Sequence, residues 1–230
     1  MSAAKALHPV LVLLPGMDGT GELFDPFIAA LGDQFEVRVV RYPGDHRGGY
    51  AELEAFARAA IPPERPYVLL GESFSGPIAI SLAAAAPGQL RALVLCCTFA
   101  RNPRPGLAAL APLVGAVPFK ALPAAWLVAA PIRAAFRQAL GQLTTPALHA
   151  RMRAVLAVDV CDRLAACDVP ILYLRATRDR LVPRAAAALV AQLKPATTVI
   201  DFDAPHFLLQ TAPEQAAHEV AAFVRLNGRR

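Results

Sequence analysis

The chain has 230 residues, 56% of them apolar, which is enough for one domain with a large buried core. Its formal net charge is +5, but the basic residues are scattered and form no arm interleaved with aromatic residues. The sequence therefore argues against nucleic-acid binding. No apolar stretch reaches the roughly 18 uninterrupted residues of a membrane span, so no transmembrane helix is predicted.

Short runs of valine, leucine and isoleucine alternate along the chain with helical patterns. The predicted strands are Val10–Leu14, Glu36–Arg41, Tyr67–Leu70, Ala92–Cys97, Ile171–Arg175 and Thr197–Phe202. The predicted helices are Gly21–Leu31, Ala51–Ile61, Gly76–Ala86, Pro183–Leu193 and Pro213–Asn227. Nearly continuous apolar runs are typical of parallel strands buried on both faces. The alternation predicts an α/β fold with a mostly parallel, doubly wound sheet of six strands.

The first apolar run and the cysteines both favour a cytoplasmic protein. The run Val10–Leu14 is too short for a secretory signal and lacks a small-residue cleavage site, so we interpret it as a strand. Cys96 and Cys97 are adjacent on a predicted strand, while Cys161 and Cys167 lack the paired spacing of a zinc or redox site. We expect buried, reduced thiols, and we predict neither a metal nor an organic cofactor.

The connection between the fourth and fifth predicted strands is too long for a simple loop. It is rich in alanine, leucine and proline, and its predicted helices are Ala121–Ala129, Pro131–Leu143, Pro146–Leu156 and Val158–Ala166. We predict that residues 101–167 form a helical lid inserted into a core made of residues 1–100 and 168–230. The lid would lie over the carboxyl ends of the strands, where ligands bind in open α/β sheets.

Ser73 lies directly after a predicted strand and directly before a predicted helix, in the sequence GESFSG. A nucleophile elbow requires this context, and its strained backbone requires small residues two positions away on either side. Gly71 and Ser75 meet this requirement, although serine stands where glycine is commoner. Since Gly-x-Ser turns are also ordinary strand–helix connections, the assignment depends on finding a base and an acid.

A serine nucleophile needs a histidine base, which in turn needs a carboxylate to orient it. His206 follows the last predicted strand, whereas the other histidines precede the first strand or fall in a glycine-rich loop or in helical patterns. Asp179 follows the fifth predicted strand, and the chain order serine, acid, histidine is the one used in α/β enzymes of this type. Asp201 and Asp203 are rival acids, but they lie on or beside the same segment as His206.

Cleavage through a tetrahedral intermediate also needs an oxyanion hole. One predicted donor is the backbone N–H of Phe74, directly after the candidate nucleophile, and the other is the N–H of Met17 in the loop after the first strand. That loop, PGMDGTG, is an alternative candidate for cradling a phosphate. Its glycine spacing does not match a dinucleotide-binding or P-loop motif.

Four segments together resemble the α/β-hydrolase family: PGMDGTG, GESFSG, RATRDRLVP and APHFLLQTAP, each after the expected strand. The resemblance covers nearly the whole chain and implies a catalytic triad of Ser73, Asp179 and His206. Members of the family usually have two further strands at the N-terminus. The resemblance therefore implies a compact, six-stranded version of the α/β-hydrolase fold.

Within the family, the small size and helical lid are similar to the carboxylesterases that cleave pimeloyl-carrier-protein methyl ester in biotin synthesis. In those enzymes, lid arginines hold an acidic carrier protein. The corresponding candidates here are Arg133, Arg137, Arg151 and Arg153. An ordinary solvated helix face is an equally good interpretation of these arginines.

The reaction predicted from the resemblance is cleavage of an acyl ester or thioester, with a small acyl ester as substrate and an acyl carrier protein as a further candidate partner. Trp126 and Phe136 make the predicted lid apolar, which suits an acyl chain. The PGMDGTG loop is closer to a broader group of bacterial hydrolases and plant acyltransferases, so acyl transfer to an alcohol stays open. A non-catalytic binding protein is the third alternative, although no member of the triad is missing.

Overall fold

The computed structural model describes residues 9–85, 88–117, 120, 128 and 130–227. The predicted helix Ala121–Ala129, except for Val128, and the predicted acyl-pocket residue Trp126 lie outside the described residues. Within the described part, no helix is both long enough and apolar enough to cross a bilayer.

The described residues form one six-stranded sheet of strand order β2-β1-β3-β4-β5-β6 in which every pairing is parallel. The strands are β1 (Val10–Leu14), β2 (Glu36–Val39), β3 (Tyr67–Glu72), β4 (Leu90–Cys96), β5 (Ile171–Ala176) and β6 (Thr198–Phe202). The predicted α/β-hydrolase fold is confirmed. Strand β1 is buried along its whole length, so each of its side chains must be apolar, and this explains the continuous apolar run.

Helices cover both faces of the sheet. They are α1 (Asp25–Leu31), α2 (Tyr50–Ala60), α3 (Gly76–Ala85), α4 (Arg133–Gly141), α5 (Thr145–Ala157), α6 (Cys161–Ala165), α7 (Arg184–Leu193), α8 (Leu208–Thr211) and α9 (Pro213–Asn227). Short 3-10 segments lie at Glu22–Phe24, Gly32–Gln34, Ser73–Ser75, Pro105–Ala116 and Ala130–Ile132.

Successive residues of β1 point to opposite faces and enter two separate apolar clusters. Val12 belongs to the cluster under α2, α3, α6 and α7, and Leu13 belongs to the cluster under α1, α8 and α9. Burial on both faces is what fixes a parallel sheet of this kind. The sheet therefore presents its carboxyl ends as a rigid edge from which the functional loops emerge.

The described residues between β4 and β5 are mostly helical, as the sequence predicts, but α6 is shorter than the predicted helix Val158–Ala166. The residues before α6 pair with the chain that leaves β4: Arg101 and Asp159 form an antiparallel bridge, and Val160 N–H donates to the carbonyl of Ala100 at 2.8 Å. The two ends of the inserted segment are thus tied together, and the helix begins only at Cys161.

Candidate active site

Ser73 begins a sharp turn at the end of β3, with a φ of 48° that non-glycine residues rarely adopt. The turn passes through Ser73–Ser75 into α3. Gly76 is required there, because an added Cβ would lie 1.9 Å from Oγ1 of Thr98. The same hydroxyl of Thr98 donates to the carbonyl of Ser73 and so holds the strained residue in place.

Ser75, which stands where the elbow pattern usually has glycine, is fully buried and has a bonding role of its own. Its hydroxyl donates to the carbonyl of Pro15 and lies 3.0 Å from the Tyr42 hydroxyl. Pro15 directly precedes the glycine-rich loop after β1. The serine at this position therefore connects the elbow to that loop through a hydrogen bond that glycine could not make.

The structure brings together the three side chains that the sequence predicts as a triad. Oγ of Ser73 lies 2.8 Å from Nε2 of His206, and Nδ1 of His206 lies 2.7 Å from Oδ2 of Asp179. The His206 and Asp179 side chains are nearly buried, at 6% and 5% exposure. Because an ionised carboxylate only accepts, His206 donates from Nδ1 and offers Nε2 as an acceptor to the Ser73 hydroxyl.

The rival carboxylates form other ion pairs. Asp201 is held by Arg175, with Oδ1 at 2.6 Å from Nε, and Asp203 pairs with Arg178 at 2.9 Å on the surface. Of these three carboxylates, only Asp179 contacts His206 in the described structure.

The loop after β1 lies beside the elbow, because β1 pairs with β3 and Leu14 is in register with Gly71. Within the loop, the carbonyl of Gly16 accepts the N–H of Gly19 at 3.1 Å. Among the described residues, the Met17 N–H donates no hydrogen bond. Met17 and Phe74 thus lie in adjacent backbone segments, as an oxyanion hole requires.

Phe136 lies on the histidine side of the site. Its ring packs edge-on against Phe207 at a centroid distance of 5.3 Å, and Phe207 packs edge-on against His206 at 5.4 Å. Val128 and Leu23 belong to the same apolar cluster. Helix α4 therefore supplies apolar surface close to His206.

The four predicted carrier-binding arginines occupy different environments. Arg137 and Arg153 are exposed, whereas Arg133 is half-buried and donates from Nε to the carbonyl of Val128 at 3.0 Å. Arg151 is 0% exposed. For Arg151 the prediction of a carrier-binding surface residue is wrong, because its guanidinium enters the interior and bonds backbone carbonyls instead.

Glu72, directly before the candidate nucleophile, is a buried carboxyl that the sequence reasoning missed. Its Oε1 accepts from Nε2 of Gln210 at 3.0 Å. Burial raises the pKa of Glu72 to about 7, the bond from Gln210 opposes the rise, and the nearby Asp18 carboxylate adds to it. Its position as the last residue of a fully buried strand was the available signal.

One trio of potential metal ligands occurs among the described residues: Cys97, Asp179 and His206, whose donor atoms lie within 4.8 Å of one another. Asp179 and His206 are already bonded to each other. The trio is thus explained by the histidine–carboxylate pair, and we assign no metal to it.

Residues 11–223 match the model of the Alpha/beta hydrolase family, and the chain belongs to that family. A pimeloyl-[acyl-carrier protein] methyl ester esterase of Aeromonas hydrophila subsp. hydrophila is 29% identical over 94% of this chain and 95% of its own length. Phytyl ester synthase 1, chloroplastic, of Arabidopsis thaliana is 39% identical over 82 residues, which are 33% of this chain and 12% of that protein.

Among solved structures, the enol-lactonase from Burkholderia xenovorans LB400 superimposes with a TM-score of 0.76 at 20% identity, covering 97% of this chain and 94% of that one. At that identity, the likeness concerns the fold alone.

Proposed function

We propose that this protein is a serine hydrolase that cleaves a carboxylic ester of an acyl chain. The observation that carries the proposal is the continuous hydrogen-bonded chain from Ser73 through His206 to Asp179, with distances of 2.8 and 2.7 Å. A serine hydroxyl is a weak nucleophile until an adjacent base removes its proton, and this chain supplies the base and orients it. Membership of the family and the similarity to a methyl ester esterase support ester hydrolysis.

In the proposed reaction, Oγ of Ser73 bonds to the acyl carbon while its proton passes to Nε2 of His206. The carbonyl electron pair moves onto oxygen, and the N–H groups of Met17 and Phe74 stabilise the resulting oxyanion. When the oxyanion collapses, the ester bond breaks and the alcohol leaves with the proton from His206. Water then attacks the acyl-enzyme, with His206 again taking and returning a proton, and the free acid is released.

The proposed substrate has an apolar acyl chain. Phe136 and Phe207 present aromatic surface beside His206, and the inserted segment 101–167 would act as a lid over it. The similarity to the pimeloyl-[acyl-carrier protein] methyl ester esterase supports a carrier-linked methyl ester as the specific substrate. Of the four candidate arginines, Arg137 and Arg153 are exposed and so accessible to an acidic carrier.

Acyl transfer to an alcohol is the second candidate function, and the 82-residue match to phytyl ester synthase 1 favours it. The two reactions share the acyl-enzyme and differ only in whether water or an alcohol accepts the acyl group. Product partition therefore distinguishes them. A growing yield of the new ester at the expense of free acid, as an alcohol is added, would favour transfer.

The test of the proposed function is hydrolysis of a panel of acyl esters and thioesters of increasing chain length, including carrier-linked methyl esters. The wild-type protein is compared with Ser73→Ala at equal concentration, and free acid is measured. We expect turnover by the wild type only. A panel in which no compound is cleaved faster by the wild type than by Ser73→Ala contradicts the proposal.

A further inference from the structure

Arg151 of α5 connects two loops at the carboxyl edge of the sheet. Its Nη1 donates to the carbonyl of Met17 at 2.7 Å, and its Nη2 donates to the carbonyl of Pro43 at 3.1 Å. Met17 lies in the loop after β1, and Pro43 lies in the chain that follows β2. A single planar guanidinium thus fixes the distance between two backbone segments, which a point charge on a flexible stem does less well.

The cation is seated without direct contact to a carboxylate among the described residues. Its guanidinium carbon lies 5.7 Å from the ring centroid of Tyr42, and the side chain is fully buried. Burial lowers the pKa of Arg151, while the charge of Asp18 opposes that change. Burying a cation on neutral acceptors is unfavourable, so its presence here calls for a role in the site.

The glycine-rich loop is shaped to admit this guanidinium. At Gly19, where φ is 73°, an added Cβ would lie 2.4 Å from Nη1 of Arg151. The carbonyl of Gly19 accepts the N–H of Tyr42 at 2.9 Å, which joins the same two loops a second time. The arginine and the PGMDGTG loop are therefore complementary in shape.

Both peptide groups that flank the α-carbon of Met17 are fixed by hydrogen bonds, one from within the loop and one from α5. The carbonyl of Gly16 is held by the N–H of Gly19, and the carbonyl of Met17 is held by Arg151. In a trans peptide the N–H points opposite to the carbonyl of the same group, so fixing the carbonyl of Gly16 directs the Met17 N–H away from Gly19. Without Arg151, the second of these two constraints is lost.

We propose that Arg151 is a positioning residue for the oxyanion hole, which it sets by bridging the carbonyls of Met17 and Pro43. This inference rests on the proposed function and deepens it. It also makes α5, a helix of the inserted segment, part of the support of the oxyanion loop. The position of that helix and the position of the Met17 N–H are then coupled through one side chain.

The experiment compares Arg151→Met and Arg151→Lys with the wild type on a short p-nitrophenyl ester, and Arg184→Met serves as a control at an exposed arginine of α7. We expect kcat to fall on the order of 10²-fold in Arg151→Met with KM nearly unchanged, the size of effect that follows from misplacing a reacting group. Arg151→Lys is expected to fall less but measurably, because one ammonium cannot span both carbonyls. Arg184→Met should match the wild type.

A second readout separates positioning from general destabilisation. A trifluoromethyl ketone forms a tetrahedral oxyanion on Ser73, whereas the methyl ketone with the same chain binds without that step. We expect the first to lose affinity in both variants in proportion to kcat/KM, and the second to bind as before. If both ketones weaken together, or if kcat and ketone affinity stay at wild-type values, the proposal is overturned. Arg151→Lys decides the outcome if Arg151→Met does not fold.

Failure of the proposed function gives a different result from failure of the Arg151 proposal. The wild type would then be inactive, or Ser73→Ala would be as active as the wild type.

Discussion

One carboxylate oxygen of Asp179 lies 2.7 Å from Nδ1 of His206, while the other accepts the backbone N–H groups of Leu181 and Val182 at 2.7 and 2.9 Å. The carboxylate is therefore clamped by its own loop and presents a single free oxygen to the imidazole. Its orientation does not depend on the histidine that it orients. The charge of Asp179 can therefore be removed by a substitution that keeps the shape of the side chain.

We expect Asp179→Asn to lower kcat on the order of 10⁴-fold with little loss of thermal stability. The amide keeps one oxygen for the loop N–H groups but presents an N–H₂ group to His206, which then holds the proton on the wrong nitrogen. Steady-state kinetics and a melting curve measure both effects. Asp203→Asn is the matched control, since Asp203 pairs with Arg178 on the surface. An inactive Asp203→Asn beside an active Asp179→Asn would transfer the role to Asp203.

Ser73 is expected to be the serine that reacts with a fluorophosphonate, because its hydroxyl lies 2.8 Å from Nε2 of His206. Labelling and ester hydrolysis should both disappear in Ser73→Ala, while the melting temperature stays close to that of the wild type. Ser81→Ala is the control, as Ser81 donates to the carbonyl of Pro77 within α3. Intact-mass spectrometry gives the labelling stoichiometry, and a labelled Ser73→Ala protein would exclude Ser73 as the nucleophile.

The elbow should depend on Thr98, whose hydroxyl donates to the carbonyl of Ser73. Thr98→Val keeps the volume and removes the donor, while the N–H of Gly76 still reaches that carbonyl. We expect a loss of about 1 kcal/mol in the free energy of unfolding, which is typical of one hydrogen bond. Urea denaturation measures it. Turnover should fall as well, since one of the two hydrogen bonds that hold Ser73 at its φ of 48° is lost. Unchanged stability and turnover would show that the hydroxyl is dispensable.

The strands of the sheet could be predicted from the sequence, because burial on both faces requires apolar runs, and these runs do not depend on how the loops are arranged. Each predicted strand agrees with the structure to within two residues at either end. The proximity of Ser73, Asp179 and His206 was also predictable, because the ends of parallel strands meet at one edge.

The role of Arg151 was not predictable in the same way. A basic residue on a helical pattern is normally solvated, and only the loop that approaches it from β1 turns it into a buried bridge. The start of α6 shows the same limit, since residues 158–160, which the sequence predicts as the first turn of this helix, pair with the chain after β4 instead. Both errors concern contacts between segments far apart in the sequence, where local pattern carries no information.

Glu72 should make the stability of the protein depend on pH. Its folded pKa of about 7 lies above the ordinary value of 4.5, so the stability linked to its neutral form is fully present below pH 4.5. That stability is lost as the pH rises from 4.5 through about 7, and the loss is complete only once the pH is above the folded pKa. Glu72→Gln keeps an oxygen for Gln210 but cannot ionise.

We therefore expect Glu72→Gln to gain stability relative to the wild type across this window, by about 3 kcal/mol at most. Unfolding measured in urea from pH 4.5 to 8 gives the difference at each pH. Glu64→Gln is the control, because Glu64 is exposed. A difference that stays constant with pH would mean that Glu72 does not titrate in this range.

The last prediction concerns Arg137 and Arg153, which stay exposed on α4 and α5. If they attract an acidic carrier, Arg137→Glu combined with Arg153→Glu should raise KM for a carrier-linked ester and leave a short p-nitrophenyl ester unaffected. The change should shrink as salt is added, because exposed charges are screened within about 10 Å at 0.1 M ionic strength. Arg133 is left intact, since it holds the carbonyl of Val128 and its removal would disturb α4 itself.

The matched control for this pair reverses Arg184 and Arg225, which are exposed on α7 and α9. It changes the net charge by the same amount, so it separates a local docking surface from the general field of the protein. An equal rise of KM in both double variants would assign the effect to net charge. An equal loss on the carrier-linked and the short ester would mean that the two arginines support α4 and α5 and recruit no carrier, and no change on either ester would leave them as solvated surface.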